Sequence, residues 1–172
     1  MGIKQLKQQN GFTLVELIAV VAIISMIAVY ITIEINQSSD DAKIGLATAF
    51  LTSNVPSAIS SYRARHLSSC RTMEDPAANG EDVDGDGETN VKDLLMARGL
   101  ASTTPWDDAW LAAYSDDTRE ITITFPLRGT NAGDVADALT SNLEGRSQIV
   151  SIDSGLGDDA TEGDITIVYS CS

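Results

Sequence analysis

Residues 12–33 read FTLVELIAVVAIISMIAVYITI, and this stretch decides how the rest of the chain is organised. Glu16 is its only charge, and Thr13, Ser25, Tyr30 and Thr32 are its other hydrophilic groups. A run of about 20 apolar residues is long enough to cross a bilayer as a helix, roughly 33 Å at the helical rise. Upstream, residues 1–11 read MGIKQLKQQNG, with Lys4 and Lys7 and no acid. Basic residues before an apolar helix keep the N-terminus cytoplasmic and place the remainder outside.

A cleaved secretory signal would carry a shorter apolar stretch followed by a small-x-small site. Here the run continues into Tyr30-Ile-Thr-Ile-Glu-Ile-Asn-Gln with no such site. A plain signal anchor satisfies the hydropathy but leaves Glu16 unexplained. A carboxylate inside a membrane helix is costly unless paired, so it marks function. A cut between Gly11 and Phe12 would set a new α-amine one helical turn from Glu16, and the two charges could neutralise each other.

Gly11-Phe12-Thr13-Leu14-Val15-Glu16, between a short basic leader and a long apolar run, resembles the prepilin motif of type IV pilins and type II secretion pseudopilins. The resemblance implies that a prepilin peptidase cuts after Gly11 and methylates Phe12. It implies that Glu16 pairs with the N-terminal amine of an adjacent subunit during assembly. It further implies an inner-membrane precursor, a pilus assembly machinery, and a homopolymer displayed outside the cell. Many type IV pilins carry a proline about twenty residues into the mature helix; this chain has none before Pro56. Only the β-branched run Ile31-Thr32-Ile33 weakens helix propensity there.

Beyond residue 35 the pattern turns amphipathic, with Ile44, Ala47, Phe50, Leu51 and Val55 at helical spacing. The spacing predicts one long helix over about 12–62, bent near Pro56. Residues 12–35 form its transmembrane or filament-core part and 36–65 its stalk. Residues 66–172 then form a head. Period-2 alternation predicts strands over 120–125, 147–152 and 164–171, with a helix over 133–143 burying Val135, Ala138, Leu139 and Leu143. The fold class is α+β, an antiparallel sheet laid over the stalk helix, which is also the pilin fold that the resemblance implies.

Cys70 and Cys171 are the only cysteines and flank nearly the whole head. Outside the cytoplasm a disulfide is their natural state; two free buried thiols are the alternative. His66, the single histidine, reads as a structural surface residue rather than a chemical one. Trp106 and Trp110, in Thr104-Pro105-Trp106-Asp107-Asp108-Ala109-Trp110, read as core anchors, subunit-interface residues or a sugar platform.

The chain has 172 residues, with 25 acids against 11 Lys and Arg, for a net charge of -14. Such a field argues against nucleic acid as the main partner. The acids are clustered: residues 74–93 hold eight of them (Glu74, Asp75, Glu81, Asp82, Asp84, Asp86, Glu88, Asp93) and one base, Lys92. Residues 82–93 read DVDGDGETNVKD, with oxygen donors at loop positions 1, 3, 5, 9 and 12 (Asp82, Asp84, Asp86, Asn90, Asp93) and Gly87 at position 6. Glu88 at position 7 would offer its backbone carbonyl. That spacing is the one by which an EF-hand loop surrounds Ca2+ with oxygens. Asp93 at position 12, followed by a helix over 91–98 and Gly99, resembles the calcium loop of dockerin modules. A solvated acidic turn is the bland alternative. With one histidine, no phosphate-binding loop, no nucleophile elbow and no zinc spacing, the sequence points away from an enzyme. Three readings follow: a type IV pilus subunit, a type II secretion pseudopilin, or a membrane-anchored calcium-dependent binding module.

Overall fold

The computed structural model describes residues 13–129, 131–157 and 160–171, of which 33–38 by backbone alone. The expected leader and the expected cleavage point between Gly11 and Phe12 lie outside the described residues. The chain divides into two compact units, Met1–Asp41 and Ala42–Ser172.

Helix α1 (Leu14–Ala49) begins with a capping box. The Thr13 N–H and hydroxyl both donate to Glu16 Oε2 at 2.9 Å, and the Glu16 N–H donates back to Thr13 Oγ1 at 3.3 Å. This arrangement satisfies donors that a helix start otherwise leaves orphaned. Along the apolar stretch two hydroxyls are satisfied inside the helix, Ser25 on the Val21 carbonyl at 2.7 Å and Thr32 on the Ala28 carbonyl at 2.8 Å. Hydrocarbon surroundings demand that economy, because no water is there to accept the proton. The helix passes without interruption through Ile31-Thr32-Ile33.

Near Pro56, where a bend is expected, the chain forms a π-helical turn, Phe50–Asn54, leading into α2 (Val55–Arg65). Pro56 has no N–H, and its ring would collide with the carbonyl four residues back in a regular helix. A wider turn relieves that collision. The Val55 N–H donates to the Phe50 carbonyl, five residues back. The turn also brings Phe50 and Leu51 into the core beside Val55, Ala58, Ile59 and Tyr62, all buried.

After a 3-10 turn (Arg71–Glu74) come α3 (Pro76–Asn79) and α4 (Val91–Met96). The sheet follows as β1 (Leu111–Ser115), β2 (Glu120–Arg128), helix α5 (Ala132–Leu143), β3 (Ile149–Asp153) and β4 (Glu162–Ser170). It is antiparallel throughout, in the order β1-β2-β4-β3. The β2–β4 register sets Ile121 opposite Tyr169, Ile123 opposite Ile167 and Phe125 opposite Ile165, all fully buried on one face. Pro126 is tolerated in β2 because β1 pairs only as far as Thr124, leaving that side of the strand without a neighbour.

All three expected strands are present, with β2 extended to Arg128. The edge strand β1 was not anticipated. Its LAAYS sequence has weak β propensity and no buried residue, so neither composition nor alternation announces it. In α5 the core takes Ala136, whereas Ala138 is only half-buried. Cys70 and Cys171 form a disulfide with a Cα–Cα distance of 6.2 Å, joining the start of the 3-10 turn to the end of β4.

Candidate functional site

Two parts of the molecule carry chemistry. The first is α1, where Leu14–Thr32 is long and apolar enough to cross a membrane. From Leu14 to Ile31, twelve aliphatic side chains and Tyr30 are between 48% and 75% exposed. Water is no stable surrounding for such a helix, since burying each of these side chains is worth about 1.5–3 kcal/mol. Glu16 takes both Thr13 bonds on Oε2, and Oε1 has no partner among the described residues.

The second is the acidic loop. Asp82, Asp84 and Asp86 each present a carboxylate oxygen, and these lie within 4.8 Å of one another. Backbone N–H groups aim them inward. Gly85 and Gly87 donate to the two oxygens of Asp82 at 2.6 and 2.9 Å, Asp86 donates to Asp84 at 3.3 Å, and Glu88 to Asp86 at 2.9 Å. Gly85 and Gly87 make the winding possible, with φ of 80° and 94°, where a side chain would be strained.

The remaining expected donors do other work. Asn90 N-caps α4 by accepting from the Asp93 N–H at 3.3 Å, while Asp93 accepts from the Asn90 N–H at 2.9 Å. The other Asp93 oxygen accepts from the Val83 and Asp84 N–H groups at 3.0 and 3.3 Å. Fully buried, Asp93 thus closes the loop on itself. The structure brings together three of the six expected residues, makes Asn90 and Asp93 a capping box, and leaves the Glu88 side chain exposed.

Lys92 is the residue that sequence reasoning missed. Its buried ammonium sits 2.6 Å from Asp84 Oδ2 and 6.0 Å from the centroid of the Trp110 ring. The Lys92 hydrogen bond holds the Asp84 carboxyl below the ordinary aspartate range. No sequence signal separates this lysine from a solvated one. Three carboxylates at such separations repel, and positive charge among them relieves the repulsion. An all-oxygen set of this kind is the donor chemistry that a hard dication takes.

Trp110 is fully buried, donates to the Ala101 carbonyl at 2.8 Å and packs on Phe50, while Trp106 is half-buried with its ring edge-on to Phe125. His66 stacks on Tyr62 at 4.1 Å, and its Nδ1 lies 3.3 Å from the Thr72 hydroxyl. These are packing arrangements.

Comparison with known proteins bears on the first part only. No curated protein and no solved structure matches the chain. A family model, the prokaryotic N-terminal methylation motif, matches residues 6–32, taking in the end of the leader, Gly11, Phe12, Glu16 and the apolar helix. That motif, heading a long apolar helix and an α+β head, supports a type IV pilin-like or pseudopilin-like protein.

Proposed function

We propose that this chain is a structural subunit of an extracellular type IV pilus filament. Prepilin peptidase cuts between Gly11 and Phe12 in the inner membrane, and the mature subunit polymerises with copies of itself through α1. The observation that carries this reading is the exposed apolar surface of Leu14–Thr32 within the stretch that matches the methylation motif. A bilayer covers that surface in the precursor, and neighbouring helices cover it in the filament. Transfer between two apolar environments is nearly neutral, so helix packing drives assembly. Return to water is strongly opposed, so the assembled filament persists. Glu16 keeps Oε1 for the amine of a neighbouring Phe12 while Oε2 caps its own helix.

Removal of the leader takes Lys4 and Lys7, leaving nine basic residues against 25 acids and a net charge of -16 (from 11 and 25 before cleavage). Repulsion between exposed charges is worth about 0.2–1 kcal/mol per pair and is screened within about 8 Å at physiological salt. One buried apolar side chain outweighs it.

For the head, the proposal is that Asp82, Asp84 and Asp86 hold Ca2+, which supplies two positive charges where three carboxylates converge. Asn90 and Asp93 shape the loop. Electron microscopy of sheared surface material, with mass spectrometry, tests the filament. The expected result is filaments whose N-terminal peptide begins at a methylated Phe12. Surface filaments without that peptide would overturn the reading, and a chain retained wholly in the cell envelope would favour the pseudopilin alternative.

A further inference from the structure

Residues 42–73 contain no acid, in a chain that has 25, and they carry Lys43, Arg63, Arg65 and Arg71. Most of the described part of this stretch is the end of α1, the π-turn and α2. Two adjoining cavities of about 150 and 280 Å³ run along it, sharing Pro56, Ser147 and Gln148. Arg63 and Ser60 line one and Arg146 the other, and Ser147 lines both. No acid lines either cavity.

Both arginines are held for use. Arg63 Nε donates to the Ser68 carbonyl and Arg146 Nε to the Asn142 carbonyl, each at 3.4 Å. Neither guanidinium has an ion pair among the described residues, so the terminal amino groups stay open to an incoming carboxylate. A guanidinium anchored by one nitrogen presents a planar fork suited to carboxylate oxygens.

The groove lies at the β3 edge of the sheet, since Ser147 and Gln148 lead into β3. The acidic loop leads into α4, which packs against both β1 and α2. Among the described residues no ion pair joins Arg63 or Arg146 to the acidic loop. Between copies they are complementary. Such a head-to-tail contact uses different surfaces on the two partners and generates an open polymer rather than a closed dimer.

Resting on the filament reading above, we propose that the acidic loop before α4 of one copy, through Glu81 to Glu88, docks into the Arg63–Arg146 groove beside β3 of the next. The occupant is a second copy of this chain, recognised by its carboxylates. The contact sets which neighbour each head meets, while α1 supplies the cohesion.

The experiment uses the full chain in cells that assemble it. Benzoylphenylalanine at position 147 should cross-link, on illumination of filaments, to the peptide of another copy that carries residues 81–88. The double variant Arg63→Glu with Arg146→Glu should lower filament yield at least fivefold while retaining the Cys70–Cys171 disulfide. Adding Glu81→Arg and Glu88→Arg should restore it. Normal filaments from the double variant, or cross-links only to other segments, would overturn the docking contact and leave the filament reading intact. Absence of filaments from the unaltered chain would remove both.

Discussion

Tyr169 shows how a single hydroxyl completes the helix that the proline interrupts. The Val55 N–H is taken by the Phe50 carbonyl, and Pro56 has no N–H, so the Leu51 carbonyl has no backbone donor within reach. Tyr169 Oη donates to it at 2.8 Å across 118 residues of sequence. Tyr169→Phe leaves a buried acceptor unpaired and should cost about 1–3 kcal/mol in denaturant unfolding of the detergent-solubilised chain. Burial pushes the Tyr169 pKa above the usual tyrosine value. Its neutral form then contributes stability that is complete below about pH 10 and is lost as pH rises further. Melting curves across pH 8–11.5 should fall steeply for the wild type at the alkaline end and less steeply for Tyr169→Phe.

Lys92 and Asp84 make the opposite kind of test. A carboxyl held below its ordinary pKa contributes stability above about pH 4, which is lost as pH falls through the folded value. If Ca2+ occupies the loop, it competes with the Lys92 ammonium for Asp84. In the presence of chelator, Lys92→Met should melt lower than the wild type, and saturating calcium should raise the melting temperature of the variant by more. Identical melting of the wild type with calcium and with chelator would sink the calcium reading.

At the scale of elements, α1 has two demands on one side chain. Glu16 completes the capping box with Thr13 and, in the proposed assembly, neutralises a neighbour's amine. Glutamine serves as well as glutamate in a capping box but brings no charge. Glu16→Gln should therefore be processed and keep its helix while filament yield falls at least tenfold, read by quantifying sheared filaments. Normal assembly would show that the cap is the whole role. The acid was visible in sequence as an anomaly in an apolar run; the Thr13-x-x-Glu16 spacing was equally visible and supplies the local half of its explanation. By contrast, β1 was hidden, because its exposed positions carry Leu111 and Ala113, so the alternation of its burial leaves no matching pattern of hydropathy in the sequence.

At the scale of the whole molecule, the disulfide ties the head's beginning to its end across a separation of 101 residues. The chain-entropy model gives about 4–5 kcal/mol for closing a loop of that size, an upper figure when the unfolded state is compact. Calorimetry of the solubilised chain with and without reductant should show a large drop in melting temperature. Cys70→Ser should reproduce that drop without reductant. An unchanged transition would mean that the core from Ala47 to Tyr169 holds the head without the cross-link.

The sequence by itself determined the apolar helix, the motif before it, the strand faces of β2 and β4, and the convergence of Asp82, Asp84 and Asp86. Each follows from composition and spacing within a few turns of chain, where local geometry dictates the outcome. Only the tertiary structure decided that Tyr169 completes the π-turn, that Lys92 reaches Asp84, that Asn90 and Asp93 cap a helix, and that Arg63 and Arg146 line adjoining cavities. Those are pairings between groups whose partners are chosen by packing. A hydroxyl or an ammonium carries no local mark of the distant atom it will meet.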